Sequence, residues 1–373
     1  MDKYFPQGIV TDYAFCNRET ERAAIKASIA SHEHLVLIAP RRYGKSSLIA
    51  QVLKENPFPG LCIDLFFVLT QAEVVKTMIV GISQLLETLL PKTKLVGKKL
   101  MDFVFSLNPK LMINLLGQKI EINVRQADEQ TIADLLMLLD SIAKQVNKPC
   151  VVVFDEFQQV GELKENHAIE AMIRHAVERS QMVSYIFCGS KRHLLNEMFS
   201  SRSRPLYHSC DLMVINRIEN EAYQKFINKM AKSKWGQLLD TDVISAILSL
   251  TENHPYYVNV LCRQLWHNHK APLLSDVRTS WHHYVMQQVD WMVNDLDRLT
   301  LNRRKVLTAI AHQPTNEPQG HAFSMQVGLS PSTIKKTFAD LHQLDLVYRD
   351  ERDYYHVLDP ALAYFLRASL SAT

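Results

Sequence analysis

The amino-acid sequence predicts an α/β protein: a parallel-sheet core, then a helical domain, then a C-terminal winged helix. Three observations carry that expectation. Up to Asn216, short apolar runs alternate with helix-period segments. From Ile218 to about Asp297 only helical patterns appear. The remainder reads helix, helix, helix, then a short hairpin. Strands apolar on both faces belong to parallel sheets covered by helices on both sides. The expected domains are therefore 1–216, 217–297 and 298–373.

The elements follow in order. Leu35–Ile38 is a buried strand, closed off by Pro40. Residues 46–54 carry Leu48, Ile49, Val52 and Leu53 at helical spacing. Residues 61–68 read as a second buried strand and 72–90 as a long amphipathic helix. Alternation over 110–114 and 119–124, about Leu116-Gly117-Gln118, suggests an inserted hairpin. A helix over 131–146 precedes a third buried strand over 150–154. A helix over 168–179 and strands over 183–188 and 212–215 complete the core. In the helical domain, 219–232, 240–250 and 256–266 are the clearest helices. The winged helix begins with helices over 302–312 and 321–328. Ser330-Pro331 then supplies an N-cap and a first-turn proline for a helix to about Gln343. Val347–Arg349 and 354–357 form strands around an Asp-Glu-Arg-Asp turn.

Composition narrows the function classes. The chain is 47% hydrophobic and 22% charged, which is ordinary for a globular protein. A net charge of +3 leaves the whole molecule without a strong nucleic-acid footprint, though it leaves room for a local basic patch. No apolar run approaches the ~20 residues of a membrane span, so no membrane association is expected. Met1-Asp2-Lys3-Tyr4 does not open a secretory leader. The six cysteines are scattered without a C-x-x-C pair, which argues against a zinc site or a disulfide framework and for a reducing cytoplasm. Trp281-His282-His283 reads as surface or packing.

Two motifs carry chemistry. Ala39-Pro40-Arg41-Arg42-Tyr43-Gly44-Lys45-Ser46 fits G-x-x-x-x-G-K-[ST] except at its first position, where Ala replaces Gly. It lies between a strand and a helix, the context such a loop requires. Backbone N–H groups of the loop, through Ser47, would wrap phosphates at the positive end of the helix. Lys45 would reach the β- and γ-phosphates, Ser46 would hold Mg²⁺, and Gly44 lets the backbone approach closely. Val151-Val152-Val153-Phe154-Asp155-Glu156 is an apolar strand ending in two acids. Asp155 is expected to bind Mg²⁺ through water and Glu156 to act as general base. Ser190, at the tip of the strand over 183–188, is a candidate to sense the γ-phosphate or orient water. Arg192, Arg202 and Arg204 follow on loops, each a candidate arginine finger. Nothing matches a guanine-specific N-K-x-D motif, so ATP or ADP is the expected nucleotide.

Taken together, these segments resemble the archaeal-type (STAND/MNS-like) P-loop ATPases of the AAA+ superfamily. Phe15-Cys16-Asn17-Arg18-Glu19-Thr20-Glu21 resembles the family's F-x-x-R-x-x-E/R-E motif, and 39–47 and 151–156 its Walker A and B motifs. Residues 186–190 resemble F-x-G-S. Asn253-His254-Pro255-Tyr256-Tyr257 resembles the lid motif G-x-P-Y, with Asn for Gly. Tyr355-His356-Val357-Leu358-Asp359-Pro360 resembles the closing Y-x-V-x-D-P. The resemblance implies a nucleotide between core and lid, with Arg18 bordering the adenine and Pro255 closing from the lid. It also implies a switch: ADP holds lid and winged helix closed, and ATP opens them or drives self-association or assembly with a protein partner.

The alternative is a DNA-binding ATPase of the origin-recognition or transposition-helper kind. Ser332, Thr333, Lys335 and Lys336 would then face a groove or phosphates. From Arg298 onward, however, nine Lys/Arg meet seven Asp/Glu, a weak electrostatic case for DNA. A nucleotide-binding scaffold without turnover is a third reading.

Overall fold

A computed structural model describes residues 4–89, 129–164 and 166–370. The hairpin expected over 110–124 lies outside them. The chain divides into two compact units, one spanning Arg18–Asn216 and the other combining the residues up to Asn17 with those from Arg217 onward.

The core unit opens with α1 (Glu19–Ala30) and β1 (Leu35–Ile38), followed by α2 (Lys45–Glu55), β2 (Gly60–Asp64) and α3 (Gln71–Leu89). After α4 (Glu129–Gln145) come β3 (Cys150–Asp155), the single turn α5 (Gln158–Gly161), α6 (Asn166–Val177), β4 (Val183–Gly189), α7 (Arg192–Ser200) and β5 (Asp211–Val214). The strands form one parallel sheet in the order β2-β3-β4-β1-β5. β1, β3 and β4 are buried nearly throughout, as their unbroken apolar runs require. All strands point the same way, so the loops after β1, β3 and β4 open on one edge of the sheet. In α/β sheets that carboxyl edge is where ligands bind.

β2 corrects the sequence expectation. It ends at Asp64 and lies at the sheet edge with most residues exposed. Leu65 N still donates to Asp155 O at 3.0 Å, but the Asp64 carboxylate accepts from Phe66 N at 2.9 Å and turns the chain out of the sheet.

The second unit contains α8 (Asn220–Trp235), α9 (Thr241–Thr251), α10 (Pro255–Trp266), α11 (Leu274–Met286) and α12 (Val289–Asp297). The winged helix follows as α13 (Leu301–His312), α14 (His321–Val327), α15 (Pro331–Gln343), β6 (Val347–Arg349), β7 (Tyr355–Val357) and α16 (Pro360–Leu370). One apolar cluster runs from Phe5 through Leu261 and Trp281 to Val306, Phe338 and Leu366, so helical region and winged helix share a core. Tyr257 Oη donates to Asp359 Oδ2 at 2.5 Å, joining the two motifs at 253–257 and 355–360. Ser330 Oγ caps α15 by accepting from Thr333 N at 3.3 Å. In the wing, Asp350 Oδ1 accepts from Arg352 N and Tyr354 N, so this acid shapes the turn. Trp281 is fully buried while His282 and His283 are exposed. All six cysteines are free.

Candidate functional site

The 39–47 loop leaves β1 with Ala39 and Pro40 buried and Tyr43 turned into the core. Arg42 (φ +67°) and Gly44 (φ +83°) both adopt left-handed backbone, which curls the chain before α2 begins at Lys45. A Cβ on Gly44 would meet no atom within 4 Å, so the loop opens onto free space there. Ala39 sits fully buried and outside the positive-φ residues, so its methyl group is accommodated where the motif usually has Gly. Arg18 braces the loop from behind. It is 5% exposed, donates from Nη2 to Tyr43 O at 3.2 Å and from Nη1 to Glu21 Oε1 at 2.6 Å. The resemblance places Arg18 beside an adenine; its contacts here are with Glu21 and the loop backbone.

β3 delivers the acid pair opposite. Lys45 Nζ lies 2.7 Å from Asp155 Oδ1 and 3.4 Å from Glu156 Oε1. Burial by itself lowers the Lys45 pKa, but the acidic groups around it, Cys188, Asp155 and Glu156, outweigh that and the pKa is raised. The ammonium therefore stays charged. Ser46 Oγ donates to Asp155 Oδ2 at 3.2 Å. Ser190 Oγ, just beyond β4, donates to Glu156 Oε2 at 2.8 Å. β4 lies between β1 and β3, which sets Ser190 between loop and acids.

Glu156 itself has left-handed backbone (φ +53°), an uncommon state for a non-glycine residue. Two anchors hold it. Its N–H donates to Asp155 Oδ1 at 3.0 Å, and the next residue, fully buried Phe157, donates its N–H to Cys188 O at 2.8 Å. Gln158 is the residue that sequence reasoning missed. It is completely buried and its Nε2 donates to Glu156 Oε2. Gly189 makes room for it, since a Cβ there would fall 2.1 Å from Gln158 Oε1. A glutamine beside two acids carries no chemical signature of its own; the usable signal is its place two residues after Glu156.

The structure thus brings together Lys45, Ser46, Asp155, Glu156 and Ser190 with the 39–47 loop and Arg18. Pro255 opens α10 in the other unit. Among the finger candidates, Arg204 is 8% exposed and ion-paired with fully buried Glu170, which keeps it in the core. Arg192 is half-buried at the start of α7, and Arg202 is exposed.

The donor set suits magnesium and a polyphosphate. A hydroxyl and a carboxylate oxygen stand side by side at Ser46 and Asp155, both hard oxygen ligands. Among the described residues no group of three or more His, Cys, Asp or Glu could hold a metal alone. Mg²⁺ bound by one or two protein ligands and substrate phosphates needs no such cage.

The loop helix is tied to α1 by a charge cluster. Glu55 accepts from Arg22, Lys26 and Gln51. The Arg22 bond leads in lowering its pKa to about 2 from 4.5. A depressed carboxylate pKa stabilises the fold above the unfolded value, near pH 4.5, and that stabilisation disappears as pH falls through about 2. Glu55→Gln is expected to cost about 1 kcal/mol at pH 7, since the pair is partly solvated. Urea unfolding of both proteins at pH 7 and near pH 2 should show the gap closing in acid. A constant gap would assign the loss to packing.

A P-loop α/β core combined with a winged helix is the class that this sheet order, this site and this C-terminal domain define. The comparisons agree. Residues 293–368 match the family model described as "Probable winged helix domain". The Walker-type ATPase PABY2304 of Pyrococcus abyssi superposes over 97% of this chain and 99% of its own, with a TM-score of 0.71 at 16% identity. The ORC2 protein of Aeropyrum pernix, solved as ADPNP-ADP complexes, covers 99% of this chain and 98% of its own, with a TM-score of 0.57 at 11% identity. A search of the curated proteins finds no match. The fold is the one these two archaeal proteins share. No helix among the described residues is long and apolar enough to cross a membrane.

Proposed function

We propose that this protein binds Mg²⁺–ATP in the 39–47 loop and hydrolyses it slowly, as a cytoplasmic molecular switch. The observation that carries this reading is the convergence of a buried ammonium, a Ser-Asp oxygen pair and a braced carboxylate at the carboxyl edge of a parallel sheet. Lys45 would engage the β- and γ-phosphates, exchanging its bonds to Asp155 and Glu156 for phosphate oxygens. Ser46 and Asp155 would hold Mg²⁺, which draws off the charge developing on the phosphates. Glu156, positioned by Ser190 and Gln158, would take the proton of the attacking water. The division into core (1–216), lid (217–297) and winged helix (298–373) belongs to this proposal, with Pro255 closing on the nucleotide from the lid. So does a signal passed to a protein partner or a second copy. The test is calorimetry with magnesium nucleotide together with phosphate release by the intact chain. Slow release and saturable binding support the reading; no heat and no release overturn it.

A second reading is contact with duplex DNA through α15. It is favoured by Lys335 and Lys336, which are both exposed near the start of that helix. A salt-dependent shift of duplex DNA by the intact protein would support it, and no shift at low salt would remove it.

A further inference from the structure

Arg41 lies within the phosphate loop and is exposed, yet its side chain is directed. Its Nε donates to Ser190 Oγ at 3.4 Å, across the tips of adjacent strands β1 and β4. Ser190 donates in turn to Glu156 Oε2 at 2.8 Å, and Glu156 Oε1 is 3.4 Å from Lys45 Nζ. Arg41, Ser190, Glu156 and Lys45 thus follow one another around the mouth of the loop. A terminal phosphate held by Lys45, with its attacking water at Glu156, would then have Ser190 and Arg41 as its next neighbours along this run of contacts.

Charge sharpens the point. Arg204 is held against the Glu170 side chain in a buried contact. The partner of Arg41 is a neutral hydroxyl at long range. A guanidinium held that way gives up little when an anion arrives, and its planar fork suits phosphate oxygens. Arg41 is bonded to a member of the site, whereas Arg204 is bonded to Glu170.

We propose that Arg41 supplies, in cis and from the phosphate loop itself, the cation that recognises and stabilises the γ-phosphate. The proposal rests on the nucleotide reading above. In the step it serves, the water oxygen bonds to the γ-phosphorus and the bond to the β–γ bridging oxygen breaks. The electron pair leaves on ADP, and the water proton passes to the Glu156 carboxylate. Arg41 faces the γ-phosphoryl oxygens as their charge redistributes, and Ser190 links its position to that of the base. ADP lacks that phosphoryl group, so Arg41 distinguishes the two nucleotides.

The experiment compares the intact chain with Arg41→Ala and Arg41→Lys. Affinities for MgADP and for a magnesium complex of a non-hydrolysable ATP analogue are measured by calorimetry, and the chemical step by single-turnover hydrolysis. Arg41→Ala is expected to leave ADP affinity unchanged, to weaken analogue binding ~10-fold and to slow hydrolysis ~10²–10³-fold, with Lys restoring part of both. Equal loss of ADP and analogue affinity would make Arg41 a general loop contact and overturn the proposal. So would unchanged hydrolysis in Arg41→Ala. If the unmodified chain binds neither nucleotide, the reading of the site fails first; normal ADP binding with undisturbed turnover in Arg41→Ala refutes the role of Arg41 alone.

Discussion

Glu156→Gln is expected to bind Mg²⁺–ATP as tightly as the unmodified chain while releasing phosphate ~10²–10⁴-fold more slowly, the range lost with a general base. The exchange keeps the size of the side chain. It also keeps an oxygen to accept from Ser190 and Gln158, whose bonds position the carboxylate now. Only the ability to take a proton goes. A fall in turnover at constant affinity is the signature of an interaction made in the transition state. Single-turnover phosphate release and calorimetry on the same preparation separate the two quantities. Unchanged release would remove Glu156 as the base, and nucleotide binding with no release from either protein would favour a scaffold without turnover.

Lys45→Ala should produce two effects at once. Nucleotide affinity falls beyond ~10²-fold, because the loop loses its β- and γ-phosphate contact. The apoprotein is destabilised as well, by about 3 kcal/mol, because two partly buried carboxylates face each other without their cation. The side chains of Lys45, Asp155 and Glu156 are 8%, 17% and 18% exposed, so water screens this cluster poorly. Lys45→Arg separates the causes: it restores charge and stability but not the fit of a compact ammonium in the loop. Thermal unfolding and calorimetry across the three proteins report each effect. Wild-type nucleotide affinity in Lys45→Ala would take Lys45 out of the site.

Much of the core could be read along the chain because its signals are local. A strand-loop-helix with Gly-Lys-Ser and an apolar strand ending in Asp155-Glu156 are recognisable within a dozen residues, and β1, β3, α2 and the start of α15 fall where the pattern places them. Helix α1 escaped because only Ile25 and Ile29 are buried on it, too narrow a stripe to show a period. Helix α16 escaped for the opposite reason: Ala361, Leu362, Ala363 and Leu366 are all buried, so no polar face marks its turns. The fate of β2 depended on its rank in the sheet, and edge strands look like central ones until their neighbours are known.

Chemical identity along the chain, then, was enough to name the ammonium, the hydroxyl and the acids. Their mutual positions were not written there. That Ser190 touches Glu156, that Gln158 stands beneath it in the space Gly189 leaves, and that Arg41 reaches Ser190 while Arg204 is locked to Glu170 all follow from strand order 2-3-4-1-5 and from burial. Residue type follows local rules of charge and backbone freedom, whereas contact between segments distant along the chain is set by how the sheet stacks its strands.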